Sequence, residues 1–176
     1  MTTDIVIRPA VIDDVAEMAR LHRAVWCDTY RDLAPADVSR ALDEDYRRAR
    51  WADMLANPRK DQRVLLALQG QRLVGIGAIA APSEPAFEGR GEVKSLYVDS
   101  SIKRQGIGRK LMREMACELA AMGYSALGLG VVVGNEPAIA FYRAIGGQLV
   151  GRYIDPGPLW RSDNLILAWD DLSLLI

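Results

Sequence analysis

The chain has 176 residues, half of them hydrophobic and 26% charged, with a formal net charge of −1. That length can bury a full core in one domain, residues 1–176, and the composition is ordinary for a globular protein. The charge balance provides no global basic field for nucleic acid or an anionic membrane surface, so any anion site must be local.

No stretch reaches the roughly 18–20 apolar residues of a membrane span, and the start lacks the basic end and long apolar core of a signal peptide. Cys27 and Cys117 show no metal or redox spacing, so a reduced cytoplasmic setting is the expectation. Both are read as small buried hydrophobes. A single histidine, His22, excludes multi-histidine metal sites, and no metal is expected. With no motif around it, His22 is read as structural or surface.

In chain order, Asp4 to Pro9 predicts a short strand ended by proline. Val15, Met18, Ala19, Leu21 and Val25 recur at helical spacing, which predicts a first helix to about Val25. Trp26 to Pro35 is less regular. A charged helical region follows from Ala36 to Ala56, with Leu42, Tyr46, Trp51 and Leu55 as anchors and Asn57-Pro58 as its stop. Arg63 to Leu68 and Arg72 to Ala81 form a hairpin about Gln69-Gly70-Gln71. Gly75 and Gly77 leave one face of its second strand nearly bare, which suits close packing against a helix.

The segment from Glu92 to Met122 organises the rest. A strand to Val98 enters a polar loop, then Lys103-Arg104-Gln105-Gly106-Ile107-Gly108-Arg109, then an amphipathic helix. This is the sequence form of an anion site at a helix start, where free N–H groups and the helix dipole meet negative charge. Gly106 and Gly108 allow close backbone approach. Ile107, Leu111, Met115 and Leu119 make the core stripe, joined by Met112 and Met122, and Gly123 ends the helix. Ala126 to Val133 is a buried strand, parallel to the one before the helix if that helix is a crossover. Asn135 caps a short helix striped by Ala138, Phe141, Tyr142 and Ile145. Strands at Gln148 to Ile154 and Asn164 to Trp169 complete the chain. The fold class is α/β in the α+β sense: a mixed, mostly antiparallel sheet with one parallel βαβ pair and helices on both faces.

The glycine turn lacks the third glycine of a dinucleotide fingerprint and the Gly-Lys-Ser/Thr of a P-loop. From Glu92 to Gly147 the chain instead resembles the GNAT family of acetyl-CoA-dependent N-acetyltransferases. That family carries Gln/Arg-x-x-Gly-x-Gly/Ala after a strand, where this chain has Lys103-Arg104-Gln105-Gly106-Ile107-Gly108. The lysine keeps the charge but loses a planar head. The second block runs from Asn135 through Phe141-Tyr142 to Gly146-Gly147.

The resemblance implies an acetyl-CoA cosubstrate. The backbone of Leu96, Tyr97 and Val98 would bond the pantetheine arm, and the amides around Gln105 to Arg109 would hold the pyrophosphate. The strands ending at Val98 and Val133 would splay to admit the thioester. Tyr142 would protonate the leaving thiolate; its other reading is a packed aromatic. Glu92 would be the general base, or an exposed strand-end carboxylate. Asn135 would bind cofactor or cap its helix.

For the acceptor, the resemblance nominates Trp26, Asp28, Tyr30 and Asp32, with Tyr153 and Trp160 opposite. Aromatic walls with a carboxylate suit a cation. Trp26 to Lys60 balances acidic against basic residues, so charge selects no substrate class. Three readings stay open: transfer to a primary amine of a small molecule, transfer to a protein or peptide N-terminus or lysine, and a non-catalytic acyl-CoA sensor. The resemblance also implies homodimers paired through the C-terminal strands.

Overall fold

The computed structural model describes residues 4–176. Seven strands form one sheet. Along it lie β1 (Ile5–Pro9), β2 (Gln62–Gln69), β3 (Arg72–Ala80), β4 (Gly91–Val98), β5 (Leu127–Val132), β7 (Asp163–Trp169) and β6 (Gln148–Ile154). Every neighbouring pair is antiparallel except β4 and β5. The predicted parallel pair is therefore present, but it is short: only Gly91↔Leu127 and Glu92↔Gly128 are paired. The last strand does not extend the sheet; β7 inserts between β5 and β6.

Alternation along β2 feeds two cores. Leu65 and Ala67 pack with α4 (Ile107–Ala121), whereas Val64 and Leu66 pack with α1 (Val15–Tyr30) and α3 (Glu44–Ala56). Helices thus cover both faces. In α4, Ile107, Leu111, Met115 and Leu119 are at most 2% exposed, and Gly123 at φ +94° ends the run. Gly75 and Gly77 sit beneath this stripe. A Cβ on Gly75 would lie 2.9 Å from Leu111 Cδ1, 3.2 Å from Ile107 Cγ2 and 3.3 Å from Ala67 Cβ, so the bare face admits the helix.

Three expectations change. First, α1 continues to Tyr30. Its last turns are fastened by Trp26 packing on Tyr30 and Trp160, with ring centroids at 4.9 and 6.1 Å; tertiary packing extends a helix that local pattern would end. Second, the helical region from Ala36 splits into α2 (Ala36–Ala41) and α3. Asp43 starts α3 by accepting a bond from the Tyr46 N–H at 2.8 Å. With the helix restarted there, Tyr46 is exposed and Arg47 is buried beside Trp51. Third, Cys27 and Cys117 are only partly buried.

Gly75→Val forces a β-branched side chain against Ile107 and the backbone-fixed Ala67 Cβ. Its expected cost is about 1–3 kcal/mol, read as a Tm lower by several degrees in thermal unfolding.

Candidate active site

The site follows from where β4 and β5 part. In β4 the register against β3 shifts at Lys94, because Ala78 pairs with Ser95 but Ile79 with Val93. A bulge bends its strand. Beyond Glu92, β4 has no partner on its β5 side, although its β3 side stays paired to Val98. Leu96 and Val98 point their side chains into the α4 core, and Tyr97 stacks on His22 across the sheet at 4.1 Å. The backbone edge of Leu96, Tyr97 and Val98 faces the gap unpaired, able to bond an extended, amide-bearing ligand.

At the end of that edge the chain turns into α4. Arg104 takes φ +67° and Gly106 φ +77°, left-handed geometry that aims successive N–H groups into a concavity. No side chain caps the helix, and its first bond runs from the Lys110 N–H to the Gly106 carbonyl. The N–H groups of Ile107, Gly108 and Arg109 precede that bond and stay free for an anion. Lys103, Arg104, Gln105 and Arg109 are exposed around the turn, while the Ile107 side chain is core. Gly106 has open space about it, so its need is conformational. Gly108 differs: a Cβ there would meet Phe141 Cζ at 3.0 Å, so this glycine serves the α4 contact with α5 (Glu136–Ala144).

Helix α5 carries Tyr142. Asn135 is buried and caps α5, accepting from the Ala138 N–H at 3.4 Å, with its side chain near the Tyr30 hydroxyl. Tyr142 packs edge-on against Trp169 at 6.2 Å. Burial, then the neighbouring Tyr30 and Tyr97 phenols, hold its pKa above the ordinary phenol range, so it stays protonated. Tyr30 is raised chiefly by burial as well.

On the other side of the sheet lies a cavity of about 600 Å³. Its walls include Val93 and Lys94 of β4 and Gly130 and Val132 of β5, the stretches that lie past the last paired residues. The cavity therefore reaches the gap. Trp26, Tyr30, Tyr153 and Trp160 form its aromatic walls, and Glu92 is its buried carboxylate, 4% exposed. Glu92 is not an exposed strand end: it accepts bonds from the Ser83 N–H at 2.7 Å and the Lys94 ammonium at 3.2 Å. Tyr153 leans over Gly130, where no Cβ would fit. Burial raises the Tyr153 pKa, and the charges of Glu92, Asp155 and Glu84 add to it.

The structure thus brings Trp26, Tyr30, Glu92, Tyr153 and Trp160 together. It does not bring Asp28 to them: that carboxylate bonds Arg31 at 3.3 Å and Ser100 at 3.1 Å outside the cavity. Asp32 is likewise absent from the lining. Sequence reasoning passed over Lys94, Gly130 and Arg50. The first was legible as the same-face neighbour two residues after Glu92, and Gly130 as the second glycine of a buried strand. Among the described residues no cluster of His, Cys, Asp or Glu could hold a metal ion, and no helix is long and apolar enough to cross a membrane.

Behind the cavity, His22 is structural. The Trp51 Nε1–H donates to its Nδ1 at 3.1 Å, and Arg47 Nη1 approaches Nε2 at 2.7 Å. Burial, then the Arg47 charge, pushes its pKa down to about 3.

A splayed parallel pair over a helix-start anion turn, with a cavity opening into the splay, defines a machine for bringing an extended anionic donor to a second substrate. The acetyltransferase (GNAT) family model matches residues 18–146, and the chain belongs to that family; it is an acyltransferase. It is 28% identical over 172 residues to the uncharacterized N-acetyltransferase YuaI of Bacillus subtilis, covering 97% of this chain and 96% of that protein. It is 36% identical over 127 residues to the IAA acetyltransferase of Azospirillum brasilense, covering 72% and 71%. Its fold is similar to the PaiA N-acetyltransferase of Thermoplasma acidophilum, solved in complex with coenzyme A: TM-score 0.77, 19% identity, 94% of this chain and 98% of that one.

Because the folded value of His22 lies below the ordinary 6.5, the unfolded chain takes up this proton first as pH falls. Its contribution to stability is complete above about pH 6.5 and is lost towards pH 3. The chain has one histidine, so one NMR ring resonance reports it; no titration is expected above about pH 4. A midpoint near 6.5 contradicts the buried network.

Proposed function

We propose that the protein transfers acetyl from acetyl-CoA to a primary amine of a small molecule, by direct attack within a ternary complex. The observation that carries this reading is the convergence of two sites at one gap. The unpaired edge of β4 and the anion turn lead into it from one side, and the aromatic cavity with Glu92 opens into it from the other. The residues fit the donor. The amides at Gln105 to Arg109 suit a pyrophosphate, with Lys103 and Arg104 as counter-charges, and the Leu96 to Val98 backbone suits the amide-bearing arm. Acetyl-CoA supplies an activated thioester. Asn135 caps α5, the helix that carries Tyr142.

An amine reaches the cavity as an ammonium and must lose a proton to become a nucleophile. Glu92 is placed to take it, directly or through water; Ser83 and Lys94 fix its carboxylate. Tyr142 holds the opposite role. Kept as a phenol, it donates its proton to the sulfur that departs. No covalent enzyme intermediate is needed. A cavity of about 600 Å³ with aromatic walls has the size of a small-molecule site, and acetylation of a peptide array separates this reading from transfer to an extended chain.

Tyr142→Phe is expected to lower kcat by about 10–100-fold and leave the KM for acetyl-CoA within a factor of a few. Unchanged turnover removes Tyr142 as the acid. Glu92→Gln should lower kcat to a similar degree, with acetyl-CoA binding intact by calorimetry.

For the donor turn, Gly106→Val places a β-branched residue at φ +77° in open space. We expect the KM for acetyl-CoA to rise about tenfold or more while kcat at saturation changes little.

A further inference from the structure

The cavity carries both signs of charge, with Glu92, Asp155 and Glu84 gathered about Tyr153. These carboxylates give it an acidic side, and Lys94 there is already paired with Glu92. Arg50, from α3, stands in the lining with no hydrogen bond or ion pair to any described residue. One turn earlier on the same helix, Arg47 is 4% exposed and lies behind the aromatic wall, its guanidinium carbon 5.1 Å from the Trp26 ring centre. Among the described residues no carboxylate pairs with Arg47. Its Nε and Nη2 find no hydrogen-bond partner among them, and Nη1 meets a His22 ring whose other nitrogen already accepts from Trp51. A neutral imidazole offers one lone pair, so the two donors compete for it. A buried cation short of acceptors is costly, and the lack is relieved by negative charge brought close to it.

Resting on the amine-acetyltransferase reading above, we propose that the acceptor is a zwitterion: an aromatic-sized amino acid whose amine meets Glu92 and whose carboxylate meets Arg50, in the field of Arg47 across Trp26. The aromatic walls hold the apolar body. A guanidinium binds a carboxylate through paired N–H donors, which Arg50 has free. The acidic side admits the ammonium and disfavours the reverse orientation. A plain amine satisfies only one end, and a plain acid satisfies the wrong one.

The test uses matched acceptors that differ only in the carboxylate: 4-(aminomethyl)benzoate against benzylamine, and L-phenylalanine against 2-phenylethylamine. Thiol release with acetyl-CoA gives kcat/KM for each, and calorimetry on the CoA complex gives affinity independently of turnover. In at least one pair the acid should exceed its amine about tenfold or more in both measures. Arg50→Gln, on an exposed position, should bring that pair to within about threefold of each other by weakening the acid. Equal or better performance of the plain amines in both pairs overturns the proposal. So does a preference for the acid that survives Arg50→Gln, or a failure of all four compounds to bind. If the acids bind through Arg50 but release no thiol, the recognition stands and the transfer reading fails. If the plain amines turn over without preference, the reverse holds.

Discussion

One parallel pairing governs this molecule, and what matters is that it stops. Strands β4 and β5 share two residue pairs and then diverge. Backbone N–H and C=O groups inside a sheet are normally spent on neighbours. Here the inner edge of β4 keeps its groups, in the middle of a seven-stranded sheet rather than at its rim. The crossover helix α4 begins at the wide end of that divergence, so its free N–H groups face the same space. A strand edge and a helix start, each ordinary alone, become one groove because the sheet opens between them.

The opening has structural supports. The bulge at Lys94 bends β4, and the same two-residue step places Lys94 against Glu92. Gly75 and Gly77 let α4 sit close on the sheet, and Gly108 lets α5 sit close on α4 through Phe141, the neighbour of Tyr142. On the other face, Trp26 and Tyr30 ride the last turns of α1, and Tyr153 crosses Gly130 from β6. Glycines at these contacts do the same job four times: they remove a Cβ where two elements must nearly touch. The cavity and groove are consequences of close packing around the gap.

Much of this was readable from residues. The α4 stripe, the hairpin and the anion turn each carry a local signal of period, glycine or charge. Asn135 was legible as a cap because a side-chain acceptor before Glu-Pro has a local purpose, and the structure gives it that bond. What escaped was set by distant partners. The last turns of α1 have no clean period; they are helical because Trp26 finds Trp160, far along the chain. Arg47 is buried although its charge predicts exposure, since restarting α3 at Asp43 rotates it inward and Tyr46 outward. The insertion of β7 between β5 and β6 leaves no mark in either strand's own pattern. Asp28 was attractive as a carboxylate near aromatics, but its helical angle turns it to Ser100.

The central claim is that the gap between β4 and β5 is the donor groove, and amide hydrogen exchange with and without coenzyme A addresses it most directly. Binding should slow exchange at the unpaired β4 edge, Leu96 to Val98, and at the turn amides of Gln105 to Arg109, with little change in the hairpin of β2 and β3. Tight binding of coenzyme A that leaves both segments exchanging as before would contradict the account.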